Sequence, residues 1–86
     1  MLKLNLKKSF QKDFDKLLLN GFDDSVLNKV ILSLRKKEPL DPQFKDHALK
    51  DFRECHLQPD LLLVYQIKKQ ENTLFLVRLG SHSELF

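Results

Sequence analysis

The sequence predicts an α+β fold, two N-terminal helices packed on a small, mainly antiparallel β-sheet. Three observations carry this. Apolar residues recur at helical spacing across two stretches of the first half. The period changes to two after Pro39-Leu40-Asp41-Pro42. A chain of 86 residues leaves room for one domain, 1–86, and one small core. The expected element order is β-α-α-β-β-β.

Each element has its own warrant. In residues 1–6, Leu2, Leu4 and Leu6 share one face of a strand and Lys3 and Asn5 the other. Ser9 reads as a helix cap. Phe10, Phe14, Leu17 and Leu18 then form the apolar stripe of a first helix, stopped at Asn20-Gly21. A second helix starts near Asp23 or Asp24, where an acidic residue suits the helix dipole. Its stripe is Leu27, Val30, Ile31 and Leu34. Arg35, Lys36 and Lys37 close it, and Pro39 prevents continuation. In the next strand Phe52, Glu54 and His56 share one face, with Arg53, Cys55 and Leu57 on the other. Residues 60–67 are apolar on both faces, the signature of a central, doubly covered strand. A polar turn over 68–72 leads to a last strand over 73–79, ended by Gly80.

Composition narrows the function. Hydrophobic residues make up 42% and charged residues 31%, which is ordinary for a folded domain. The longest apolar run, Leu61 to Tyr65, is far short of the roughly 20 residues of a membrane helix. The first eight residues lack the apolar core of a signal peptide, so a cytoplasmic protein is expected. The single Cys55 fits a reducing compartment, and its alternation with Leu57 marks it as a core thiol. Net charge is +3. Residues 1–45 hold ten Lys/Arg against six Asp/Glu, whereas 46–86 hold five against six. The basic excess therefore sits in the first half, which suits a polyanionic or acidic partner.

The candidate chemistry lies in the second half. His47 precedes or opens the first strand after the connector, His56 ends the next, His82 follows the last strand just past Gly80, and Asp60 follows His56 across a Pro turn. Imidazoles titrate near neutral pH, so a pair of them can act as acid and base. Arg78 can hold a phosphate. Phe86 is a terminal aromatic that either packs or stacks on a base. No CxxC or HExxH spacing exists, so no metal site and no cofactor are expected. No phosphate loop or nucleophile elbow exists either.

Longer strings carry a resemblance. Asp46-His47-x-Leu49, Arg53-Glu54-Cys55-His56-Leu57-x-Pro59-Asp60-x-Leu62-Leu63-Val64-Tyr65 and Arg78-Leu79-Gly80-Ser81-His82-Ser83-Glu84-Leu85-Phe86 closely resemble the YafQ branch of the RelE superfamily. These are bacterial toxins of type II toxin–antitoxin systems, and the likeness covers nearly the whole chain. It implies a RelE-like fold and a metal-independent endoribonuclease that cuts mRNA, usually on the ribosome, with an antitoxin protein as partner. It implies His47, His56, Asp60 and His82 as the catalytic set, with His82 as general acid and His47 or His56 as base. Arg78, Phe86, Lys50 and Arg53 would contact RNA. The sister ParE-type branch, which poisons gyrase, lacks this histidine set. Only Lys50-Asp51-Phe52 stand where the family usually has a longer basic turn. That departure keeps open a second reading, an inactive relative that binds antitoxin or RNA without cutting. A small zinc protein is a third reading.

Overall fold

The computed structural model describes all 86 residues. Strand β1 (Lys3–Leu6) leads into helices α1 (Lys8–Leu19) and α2 (Ser25–Arg35). A single turn of 3₁₀ helix, Pro42–Phe44, precedes β2 (His47–Leu49), β3 (Phe52–Gln58), β4 (Leu61–Lys68) and β5 (Thr73–Gly80). One further turn of helix, α3 (His82–Leu85), ends the chain. The five strands form one sheet in the order β1-β5-β4-β3-β2. Only the β1–β5 pair is parallel.

The sheet has one strand more than the sequence pattern implies. His47–Leu49 is a strand of its own, paired with β3 through a two-residue turn at Lys50-Asp51. Three residues are too few for a period of two to show. The shortened turn does not prevent pairing. Lys50 takes a φ of 53°, the left-handed conformation that tight hairpins need.

Both helices cover one face of the sheet. Leu2, Phe10, Leu27, Val30, Leu34, Cys55, Leu57, Leu61, Leu63, Tyr65, Leu74, Leu76 and Leu79 make a single buried cluster there. Leu18 is half-exposed and does not join it. It lies about 80° round the helix from Phe10, whereas Leu17 lies about 20° away and does pack. β4 is central, as its unbroken apolar run predicts, and Leu61 to Tyr65 are all buried. Arg35 Nε donates to Leu2 O and Leu2 N–H to Arg35 O, both at 2.8 Å, which clasps the start of β1 to the end of α2.

Ser9 is not the cap of α1. Lys7 takes that position without a side-chain bond. The Ser9 hydroxyl instead donates to Val77 O at 2.6 Å. β1 stops at Leu6, so the second half of β5 has an open edge there, and an unpaired strand carbonyl is a stronger demand than an exposed helix end.

Candidate functional site

Alternation along β3 sends Cys55 and Leu57 into the core and turns Glu54 and His56 to the sheet face without long helices. His47 stands opposite Glu54 in the β2–β3 register. The result is one carboxylate between two imidazoles. Glu54 Oε1 lies 3.4 Å from His47 Nε2 and 3.8 Å from His56 Nε2. The two rings are 6.2 Å apart between centroids. Glu54 is only 5% exposed, so these imidazoles replace much of its hydration. His47 Nδ1 lies 2.8 Å from Lys45 O. A carbonyl can only accept, so Nδ1 carries hydrogen and a neutral His47 offers its lone pair at Nε2.

One ligand atom from each of His47, Glu54 and His56 lies within 4.8 Å of the others. Two imidazoles and a carboxylate suit a first-row divalent cation. The sequence expectation of no metal-ligating group rested on local spacing motifs. Strand pairing assembles a set that no such motif announces. Cys55 is on the opposite face and takes no part. Burial pushes its thiol up to about 12, which makes it inert as a nucleophile.

His82 is placed by the end of β5. His56 pairs with Leu62, and Leu62 with Gly80, so Gly80 lies two strand spacings, about 10 Å, from His56 on the same face. α3 begins two residues later. Ser81 and Glu84 form a capping box: Glu84 N–H donates to Ser81 Oγ, and Glu84 Oε1 accepts from Ser81 N–H at 3.1 Å. Those bonds hold the Glu84 carboxyl below the usual carboxylate range. A Cβ on residue 80 would meet Leu85 Cδ2 at 3.3 Å, so glycine lets α3 fold down onto the strand. The His82 ring then lies 5.3 Å from the ring of Phe86, which is 59% exposed.

Arg78 is on the same face, next to a bulge in which Val77 is the extra residue. Its guanidinium is held by Asp13 of α1, with Nε 2.7 Å from Oδ2 and Nη2 3.3 Å from Oδ1. Nη1 makes no bond within the protein.

The structure does not bring every predicted residue to this face. Arg53 points to the core side, where it binds Asp46 through Nε and Nη2. The buried Tyr65 hydroxyl also donates to Asp46, at 2.5 Å. Lys50 is exposed at the tip of the β2–β3 turn. Asp60 is exposed in the β3–β4 turn and makes no hydrogen bond or ion pair with a histidine. The carboxylate among the histidines is Glu54, which the sequence reading passed over. Its signal was present, since Glu54 and His56 share a face by alternation.

These features have relatives. The family model for the bacterial toxin of type II toxin–antitoxin systems, YafQ, matches residues 2–86. The chain belongs to the YafQ toxin family. A Haemophilus influenzae protein named for the YafQ toxin is 33% identical, covering 96% of this chain and 90% of its own. The crystal structure of a copper-bound mutant toxin from Helicobacter pylori is 77% identical, with a TM-score of 0.95 and full coverage of both chains. The crystal structure of the E. coli DinJ–YafQ complex is 27% identical, with a TM-score of 0.88, covering 100% of this chain and 99% of that one. The α+β architecture is thus that of YafQ toxins. No helix of this chain is long and apolar enough to cross a membrane.

Proposed function

We propose that this YafQ-family toxin is an endoribonuclease that cleaves mRNA on the ribosome and is held inactive by an antitoxin protein. The observation that supports this best is the pair of imidazoles around Glu54, on the face that also carries Arg78 and ends at His82. In the reaction a ribose 2′-OH attacks the adjacent phosphorus and the P–O5′ bond breaks. The products are a 2′,3′-cyclic phosphate and a free 5′-OH. His47 Nε2, or His56 beside it, takes the 2′-OH proton. Glu54 orients both rings and balances the imidazolium that forms. Arg78 stabilises charge on the phosphate through its free Nη1. His82 gives a proton to the leaving 5′ oxygen, and Phe86 stacks on a base beside it.

Primer extension on a defined mRNA, with and without ribosomes, tests this. Discrete cuts by the wild type that vanish with His82→Ala in a folded protein are expected. A folded wild type that makes no cuts under either condition would leave the binding-module reading. The antitoxin partner rests on family membership and on the DinJ complex of the E. coli relative.

A second reading concerns metal. His47, Glu54 and His56 fit a copper-class ion by donor type and spacing, and the Helicobacter pylori relative is copper-bound. In this reading these three residues would hold the ion, and it would supply Lewis acidity there. Electron paramagnetic resonance of a copper titration checks it. Nitrogen couplings lost in His47→Ala are expected, and unchanged couplings in that variant would reject it.

A further inference from the structure

The geometry points to Asp13 of α1 as the residue that aims Arg78 at the phosphate, acting as a positioning residue rather than a catalytic one. The inference rests on the nuclease reading above.

β1 ends beside Leu76, so the last residues of β5 lose their neighbouring strand on that side. The backbone of Lys7 and then the side chains of α1 take its place. Lys7 N–H donates to Leu76 O at 3.0 Å. Ser9 Oγ donates to Val77 O at 2.6 Å, and Asp13 Oδ2 accepts from Leu79 N–H at 3.0 Å. Ser9 and Asp13 are four apart on a helix, so they stand on one side of it about 5–6 Å from each other. Val77 and Leu79 are two apart on a strand, about 6.6 Å along it. The two repeats nearly match, and the match fixes the register of α1 against β5.

Arg78 lies between those two anchor points, and the bulge at Val77 re-aims it. Asp13 then grips Nε and Nη2 of the guanidinium while its Oδ2 also holds the Leu79 amide. One carboxylate thereby ties the strand's backbone and its functional side chain to one helix. A two-point grip on a planar guanidinium fixes its plane. Nη1 and the second N–H of Nη2 are left over, and they are the donors available to a ligand. Asp13 is mostly covered and Arg78 is more exposed, so the grip is sheltered while the free end is not.

Two roles must be separated. Ser9 serves the strand edge alone, whereas Asp13 serves the edge and Arg78. The test is single-turnover cleavage of ribosome-bound mRNA by Ser9→Ala, Asp13→Ala, Asp13→Asn, Arg78→Ala and the Asp13→Ala/Arg78→Ala double variant, each with a thermal melt. Asp13→Ala should lower the cleavage rate about tenfold to a hundredfold, the scale of a misplaced contact, with little change in the toxin concentration that half-saturates the rate. Ser9→Ala should lower the melting temperature without that loss of rate. Adding Asp13→Ala to Arg78→Ala should cost nothing further, because the same contact is already gone. Asp13→Asn keeps an acceptor for the Leu79 amide, so it should fold like the wild type yet regain only part of the rate. Losses that multiply in the double variant would overturn the proposal. So would a rate loss in Ser9→Ala equal to that in Asp13→Ala. If Arg78→Ala cleaves normally while His82→Ala does not, the positioning role falls and the nuclease reading stands. If no variant or wild type cleaves, both fall.

Discussion

Glu54→Gln is the sharpest perturbation of the site. The substitution keeps shape and volume but removes the charge 3.4 Å from His47 Nε2 and 3.8 Å from His56 Nε2. Coulomb's law at 3.4 Å with an effective dielectric of 20 gives about 5 kcal/mol against an imidazolium. The His47 side chain is 49% exposed, so solvent screens much of that. The net value of a contact to a charged group, about 1.5–3 kcal/mol, is the better scale. If it is made in the transition state, its loss slows cleavage about 10- to 150-fold. The fold should not suffer equally, because a neutral isostere is easier to bury than a carboxylate. The assay is single-turnover cleavage of ribosome-bound mRNA at saturating toxin, beside a thermal melt of the same preparation. Cleavage within about threefold of wild type, well below the loss worked above, would refute the role given to Glu54. A large loss matched by a collapsed melting temperature would make Glu54 structural instead.

Further outcomes follow from other contacts. Tyr65→Phe removes the hydroxyl that donates to Asp46; it should cost about 1 kcal/mol, a fall of roughly 4–8 °C in melting temperature. Gly80→Ala places a Cβ 3.3 Å from Leu85 and 3.4 Å from Glu84 Oε1; it should lift α3 and reduce cleavage through His82 while the melting temperature changes little. Burial raises the Cys55 thiol from 9.0 to about 12, so the protonated form is favoured in the fold; that contribution is full below pH 9.0 and is lost as pH climbs toward 12. Iodoacetamide at mildly alkaline pH should therefore label Cys55 only after guanidinium unfolding, and rapid labelling of the native protein would contradict this.

What was legible in the sequence was whatever depends on neighbours along the chain. The stripes of α1 and α2, the doubly covered β4 and the core thiol at Cys55 all follow from periodicity. What was not legible depends on pairing across the chain. His47–Leu49 is too short to declare itself, yet its register is what sets His47 against Glu54. Alternation put Arg53 on the core side with Cys55, while the resemblance made it an RNA contact. The structure follows alternation, because Asp46, itself held by the Tyr65 hydroxyl, gives the guanidinium a partner there. The resemblance implies Asp60 as the carboxylate, four residues after His56 in sequence. Glu54 is nearer in space because alternate residues of a strand share a face. Ser9 reads as a cap from its neighbours alone because the open edge of β5, 68 residues away, leaves no local trace.

The two readings of the His47–Glu54–His56 cluster compete for the same electrons. A base needs the lone pair of an imidazole, and so does a metal ligand. His47 Nδ1 is committed to Lys45 O, so Nε2 must serve either use. It cannot serve both at once. Copper added to the purified toxin should therefore reduce cleavage in proportion to occupancy of this site, and a chelator should restore it. Glu54→Gln weakens the ligand set, so its residual cleavage should need more copper to be suppressed. Activity that persists with copper bound, its imidazole nitrogens visible by electron paramagnetic resonance, would show that neither His47 nor His56 is the base. The proton would then have to leave the 2′-OH by another group, and His82, just past the end of β5, would be the remaining imidazole of the chain.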